Sequence, residues 1–119
     1  MKNRAQLLED SLLIIWNNRN SEERLQAMQH IYHQDIHFFE SDTGNAIVGY
    51  EAINDLITSL QSEWAPEFSF QLNKPSQTNH HVQVASWTLG ILGEQPVVSG
   101  MDVAIVENET IKALHLYLD

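Results

Sequence analysis

One carboxylate, Asp102, stands inside SGMDVAIV (residues 99–106), a run otherwise built of small and branched apolar residues. An ionised carboxylate is costly to bury alone, so a residue in that setting is paired, protonated or solvated. If a strand carries it, alternation puts Val98, Gly100, Asp102, Ala104 and Val106 on one face and Met101, Val103 and Ile105 on the other. The Asp face is the less bulky. Gly, Asp and Ala leave room beside the carboxyl, which a ligand cavity needs and a close-packed core avoids. Desolvation raises a carboxyl pKa, and holding Asp102 neutral at pH 7 takes roughly three pH units, about 4 kcal/mol, within the documented range. A neutral carboxyl donates a hydrogen bond, which makes Asp102 a candidate acid or ligand anchor. The plainer reading, in which it accepts bonds from a hydroxyl or water, stays open.

Other chemistries find less support. The six histidines include His30, His33 and His37 in HIYHQDIH, but the third belongs to a strand pattern, and the adjacent His80 and His81 of a strand face opposite ways. There is no HExxH, so no metal is expected. The absence of cysteine excludes thiol catalysis, disulfides and thiolate metal sites, and fits a reducing cytoplasm. GxSxG, Walker and GxGxxG motifs are also lacking, and no cofactor is implied. Sixteen acidic against six basic residues give a net charge of -10, with Lys2, Arg4, Arg19, Arg24, Lys74 and Lys112 scattered. Nucleic acid and anionic membranes are poor partners for that field. Glu9 and Asp10 interrupt any signal-peptide core, and LLIIW is too short to span a bilayer, so a soluble, cytoplasmic protein is expected.

The elements that must position these residues follow from periodicity. With 119 residues, 43% of them apolar, the chain can bury a core as one domain over 1–119. Leu8, Leu12 and Ile15, flanked by Leu7, Ile14 and Trp16, predict an amphipathic helix from about Ala5 to Asn18. Asn20 followed by Glu23 resembles a capping box opening a second, shorter helix through Leu25, Met28 and Ile31. DIHFFES then reads as a strand and SDTGN as a turn, with Asp35 assigned to the turn between second helix and first strand. Gly49 permits the turn into a third helix, in which Ile53, Leu56, Ile57 and Leu60 share a face and which ends before Pro66. Four strand patterns follow: EFSFQL, HHVQVASWTLGIL, PVVSGMDVAIV and TIKALHLYLD. Helices first and strands afterwards argue for an α+β domain with an antiparallel sheet.

This order, with YHQDIHFFESDTG, IVGYEAI, a tryptophan strand, SGMDVAIVENETIKAL and a terminal YLD, resembles the nuclear transport factor 2-like superfamily, and its SnoaL-like domains in particular. The resemblance runs from about Leu7 to Asp119. It implies a cone-shaped, cystatin-like α+β barrel, in which three N-terminal helices pack in a strongly curved, mostly antiparallel sheet around a deep pocket. It also implies a homodimer formed through the outer sheet face and a small apolar molecule as ligand. Similarity to ketosteroid isomerase places Asp102 at a protonated pocket Asp and Glu40 at the base; a slip of two residues nominates Asp42 instead. Trp16 stands where that branch has a first-helix Tyr that stabilises the oxyanion, a departure that argues against steroid isomerisation itself. Of the two faces of the last strand, the resemblance favours Leu114, Leu116 and Leu118 as pocket lining over Ala113, His115 and Tyr117. Trp87 suits a pocket wall, the dimer face or plain core packing.

Three functions remain. One is an isomerase or cyclase acting on an apolar carbonyl compound with Asp102 and Glu40 as acid and base. Another is a dimeric binding module that holds an apolar ligand in its cavity without turnover. The last is a protein-interaction adaptor, which needs an exposed apolar groove. Fold does not decide among them. What discriminates is whether Asp102 points into an enclosed cavity within reach of a second titratable group, Glu40 or His115.

Overall fold

The computed structural model describes residues 4–119. Lys2, one of the scattered basic residues, lies outside them. The first helix, α1 (Arg4–Asp10), runs directly into a π-helical segment, Ser11–Trp16. That wider turn buries Ser11, Leu12, Ile15 and Trp16 together. Single π turns inside helices are rare and recur near functional sites. Asn20 caps α2 (Ser21–Ile31) by accepting from the Glu23 backbone N–H at 2.9 Å. The reciprocal half of the capping box is rewired: Glu23 accepts from the Asn18 amide, and the Asn20 N–H goes to Asn18 Oδ1. Gly49, at φ +90°, turns the chain into α3 (Tyr50–Glu63) as expected. The predicted face of α3 packs on the core, with Ile53 and Ile57 buried and Leu56 and Leu60 half-buried against it, and the buried surface extends further round to the polar Asn54 and Gln61.

The strands are β1 (Tyr32–Phe39), β2 (Ile47–Val48), β3 (Phe68–Leu72), β4 (Gln77–Asn79), β5 (Val82–Ile91), β6 (Val98–Glu107) and β7 (Thr110–Leu118). They form one mixed sheet in the order β2-β1-β7-β6-β5-β3, with β4 added beside β5. Every pairing is antiparallel except β1 with β7. The two short strands β2 and β4 have too few residues to show an alternation in sequence. Asp35 lies within β1, in the irregular stretch between Tyr32 and His37, and not in a turn before it. The β6–β7 hairpin closes on Asn108 and Glu109, both at positive φ, the geometry of a tight two-residue turn.

The inner face of this curved sheet packs on the helices, with Met28, Ile36, Ile57, Ala104, Ile111 and Leu114 in the core. The result is an α+β fold of three helices against a mixed seven-stranded sheet. None of the described helices is long and apolar enough to cross a membrane.

Candidate functional site

Alternation along β6 turns Gly100, Asp102, Ala104 and Val106 inward, with all four buried. Asp102 pairs in register with Ala85 on β5 and Leu116 on β7, so its neighbours across the sheet are apolar. The side chain is 6% exposed. Its Oδ1 accepts a hydrogen bond from Trp87 Nε1 at 3.0 Å. Burial pushes the carboxyl up to about 7, and the indole donor opposes that rise without cancelling it. Trp87 is the cross-strand partner of Gly100, two residues from Asp102. A Cβ at position 100 would stand 2.8 Å from the Trp87 ring and 2.7 Å from the Tyr117 carbonyl oxygen. The space that glycine leaves beside the carboxyl is therefore filled by the indole and is not open cavity as the small-residue face suggested. Gly100 instead leaves room for the indole that donates to Asp102.

A cavity of about 190 Å³ opens between the helices and the concave sheet face. Asp102 and Trp87 border it from the sheet, Leu12 and Trp16 from the first helix, and Leu116 and Leu118 from β7. Glu40, exposed just beyond the end of β1, borders it as well, which brings the two nominated carboxyls to one cavity. Asp42, the alternative base, lies exposed in the following bend and does not border it. Leu114 also departs from expectation: it faces inward but is 1% exposed within the core, at a level already filled by side chains. His115 faces the other side of the sheet and stacks on Phe39 at 4.6 Å, so it cannot serve as the second titratable group.

Trp16 occupies the position where the resemblance has an oxyanion-stabilising Tyr, but its N–H is engaged. Nε1 donates to the Tyr32 hydroxyl at 3.2 Å, and that hydroxyl shares a 2.6 Å hydrogen bond with Ser11. Tyr32 is pushed up to about 12, first by burial, with the Asp102 charge adding to the rise. It is therefore a neutral phenol around neutral pH.

Sequence reasoning missed the remaining aromatic wall: Phe38 of β1, Trp64 at the end of α3 and Phe70 of β3. The alternation of Phe68, Phe70 and Leu72 carried a signal for Phe70. Trp64, isolated between a helix and a proline, carried none. Asn17 fixes Phe70 from outside the sheet: its amide donates to the Phe70 carbonyl at 3.1 Å and accepts from the Phe70 N–H at 2.6 Å, as a neighbouring strand would. Among the described residues no group of three or more His, Asp or Glu converges in a way that could hold a metal ion.

No family model matches the sequence, and no curated protein is similar to it. Solved structures do match the fold. A SnoaL-like family protein from Agrobacterium tumefaciens superposes with a TM-score of 0.84 at 18% identity, covering 98% of this chain and 97% of that one. A nuclear transport factor 2-like protein of unknown function from Cytophaga hutchinsonii gives 0.71 at 13% identity, covering 100% and 92%. A protein of ketosteroid isomerase-like fold from Catenulispora acidiphila, in complex with trimethylamine, gives 0.70 at 14% identity, covering 94% and 84%. The chain therefore has the nuclear transport factor 2-like fold, in the form shared by SnoaL-like and ketosteroid isomerase-like proteins.

Proposed function

We propose that this chain acts as a single domain over residues 1–119 that binds a small, largely apolar molecule in its cavity and performs acid–base chemistry next to a carbonyl, as an isomerase or cyclase. The observation that carries this reading is the pairing of a buried carboxyl, Asp102, with an exposed one, Glu40, on the same apolar cavity. With Trp87 donating to Oδ1, the proton of the neutral acid belongs on Oδ2, from which it is given as a hydrogen bond to the carbonyl oxygen. That bond polarises the carbonyl and acidifies the adjacent C–H. Where the carbonyl compound also carries a neighbouring C=C, Glu40 takes the proton from the carbon between them, and the electron pair moves into a dienol as the carbonyl oxygen takes the Asp102 proton. Return of the proton from Glu40 to the far carbon, with the O–H proton going back to Asp102, shifts the double bond and completes an isomerisation. Trp16 adds shape and not a donor, which separates this site from one with a first-helix Tyr.

The cytoplasm is the matching compartment, since a chain without cysteine needs no oxidising environment. The trimethylamine complex of the Catenulispora protein supports occupation of such a fold by a small molecule. Deuterium uptake at carbons next to the carbonyl of small cyclic and open-chain ketones, followed by NMR, tests the chemistry. Exchange catalysed by wild type and lost in Asp102→Asn and Glu40→Gln is expected, with a drop of about a hundredfold or more for either. Binding of the ketones without exchange instead identifies the non-catalytic module.

The outer sheet face favours a homodimer. Met101, Val103 and Ile105 point outward on β6, and Val82, Val84 and Ala113 stand in register with them. Ser86 and His115 are the polar residues in register with this patch, which is otherwise apolar and aromatic, more so than a sheet face left to water.

A further inference from the structure

The cavity is more aromatic than a neutral apolar ligand requires. Phe70 stands at the centre of a contiguous ring cluster, its centroid 5.1 Å from Trp87, 5.7 Å from Trp64 and 6.1 Å from Trp16, each near edge-on. Trp16 in turn lies 5.6 Å from Phe38. All five rings border the cavity. The charged side chains that join them are both acidic, Asp102 inside and Glu40 at the mouth, and among the described residues no Lys, Arg or His borders it. The whole chain carries a net charge of -10, which raises the local concentration of cations around the opening. Electron-rich ring faces, a desolvated carboxylate and a negative surrounding field are the three elements that recognise an organic cation.

We propose that the cavity is also an organic-cation site: it takes a compact alkylammonium ion, protonated or quaternary, against its ring faces with Asp102 as counter-ion, in competition with neutral ligands. This rests on reading the cavity as a small-molecule site, and not on turnover. The size is suitable, because about 190 Å³ slightly exceeds a cavity of about 150 Å³ that holds benzene, enough for an ammonium centre with short substituents.

The two ligand classes require opposite states of Asp102. An ammonium ion needs the carboxylate, so its affinity holds above the Asp102 titration and falls about tenfold for each pH unit below it. A neutral carbonyl needs the acid and follows the reverse course. The groups facing Asp102 leave it in charge of this dependence. Ala85 and Trp87 face it from β5, Leu116 from β7, and Leu12 and Trp16 line the cavity from the first helix. Tyr32, from β1, remains a neutral phenol, and Glu40 is the second charged group on the cavity.

Calorimetric titration with choline and its uncharged isostere 3,3-dimethylbutan-1-ol tests the proposal at about pH 8.5 and about pH 5.5. The expected result at the higher pH is choline binding at least about tenfold tighter than the isostere, with that preference lost at the lower pH. Asp102→Asn is expected to weaken choline by about a hundredfold and to leave the isostere unchanged. Trp64→Leu, at a half-buried position, gives a second variant that keeps the core intact and is expected to lower the preference for choline. An isostere that matches choline at the higher pH, or choline binding indifferent to both substitutions, overturns the cation site while leaving the pocket reading standing. If neither compound binds but small ketones do, the cation site fails alone; if ketones also fail, the pocket reading fails with it.

Discussion

Asp102 is held between two opposing effects, and burial wins. Removal from water raises its carboxyl from 3.8 to about 7, against the single indole bond that favours the charged form. The unfolded chain ionises this group near pH 4, whereas the folded chain retains the proton up to about pH 7. Its contribution to stability is therefore complete below about pH 4, declines as pH rises, and is exhausted above about pH 7, a span on the order of 4 kcal/mol. Asp102→Asn keeps the shape and accepts the Trp87 bond without a charge. Urea unfolding of the two proteins is expected to show the variant the more stable at about pH 8 and the two nearly equal at about pH 4; parallel pH curves contradict a desolvated Asp102. Gly100→Ala tests the neighbouring contact. Its methyl meets backbone at Tyr117 and the Trp87 ring, so a loss of about 1–3 kcal/mol and a shifted tryptophan fluorescence are expected. The sequence made Asp102 legible because a charge among apolar residues conflicts with its surroundings. Its indole partner was hidden, since Trp87 and Gly100 become neighbours only through the register of β5 and β6.

At the scale of elements, the site depends on polar anchors as much as on periodic apolar faces. Arg24 is 1% exposed, yet every group it reaches is neutral: Nε donates to Asn54 at 2.6 Å, Nη1 to Gln61 and to the Asn18 carbonyl at 2.8 Å each, and Nη2 to Thr58. One guanidinium thus ties α2 and α3 to the loop that leads out of Trp16. Lysine cannot reproduce that fork of planar donors, so Arg24→Lys is expected to recover little of the loss in Arg24→Ala, at least about 3 kcal/mol in the urea midpoint analysis. Arg19 adds a smaller clamp by donating to the Gln61 and Ala65 carbonyls at the end of α3, where the helix dipole favours a cation. The order of helices and long strands could be read from hydrophobic period, because each segment repeats its pattern several times. The polar part of the buried face of α3 could not: Asn54 and Gln61 point inward to meet Arg24, and a scale that counts them as polar leaves them on the solvent side. Likewise the π-helical turn and the Asn17 bridge to β3 arise from contacts between distant segments, which no local window contains.

At the scale of the whole molecule, charge and apolar surface act against each other. Tyr117 is 55% exposed on the outer sheet face, and around it Met101, Val103 and His115 present a broad apolar and aromatic surface with few charges. Phe39 and His115 stack there at 4.6 Å, extending that surface onto β1. Burying such a face against its own copy removes apolar area from water, at roughly 25 cal/mol per Å². Opposing this, each copy carries a net charge of -10, so the approach of two chains is repulsive at low ionic strength. The proposed dimer should therefore tighten as salt screens that repulsion, the reverse of an assembly held by ion pairs. Sedimentation equilibrium between about 20 mM and 500 mM salt is expected to show a falling dissociation constant. Val103→Glu puts a carboxylate at the middle of the face without touching the cavity side of β6, and is expected to leave a folded monomer at all salt concentrations. A monomeric wild type across that range, or a dimer indifferent to Val103→Glu, removes the outer face from consideration as the subunit contact and leaves the cavity reading unchanged, because no outer-face residue borders it.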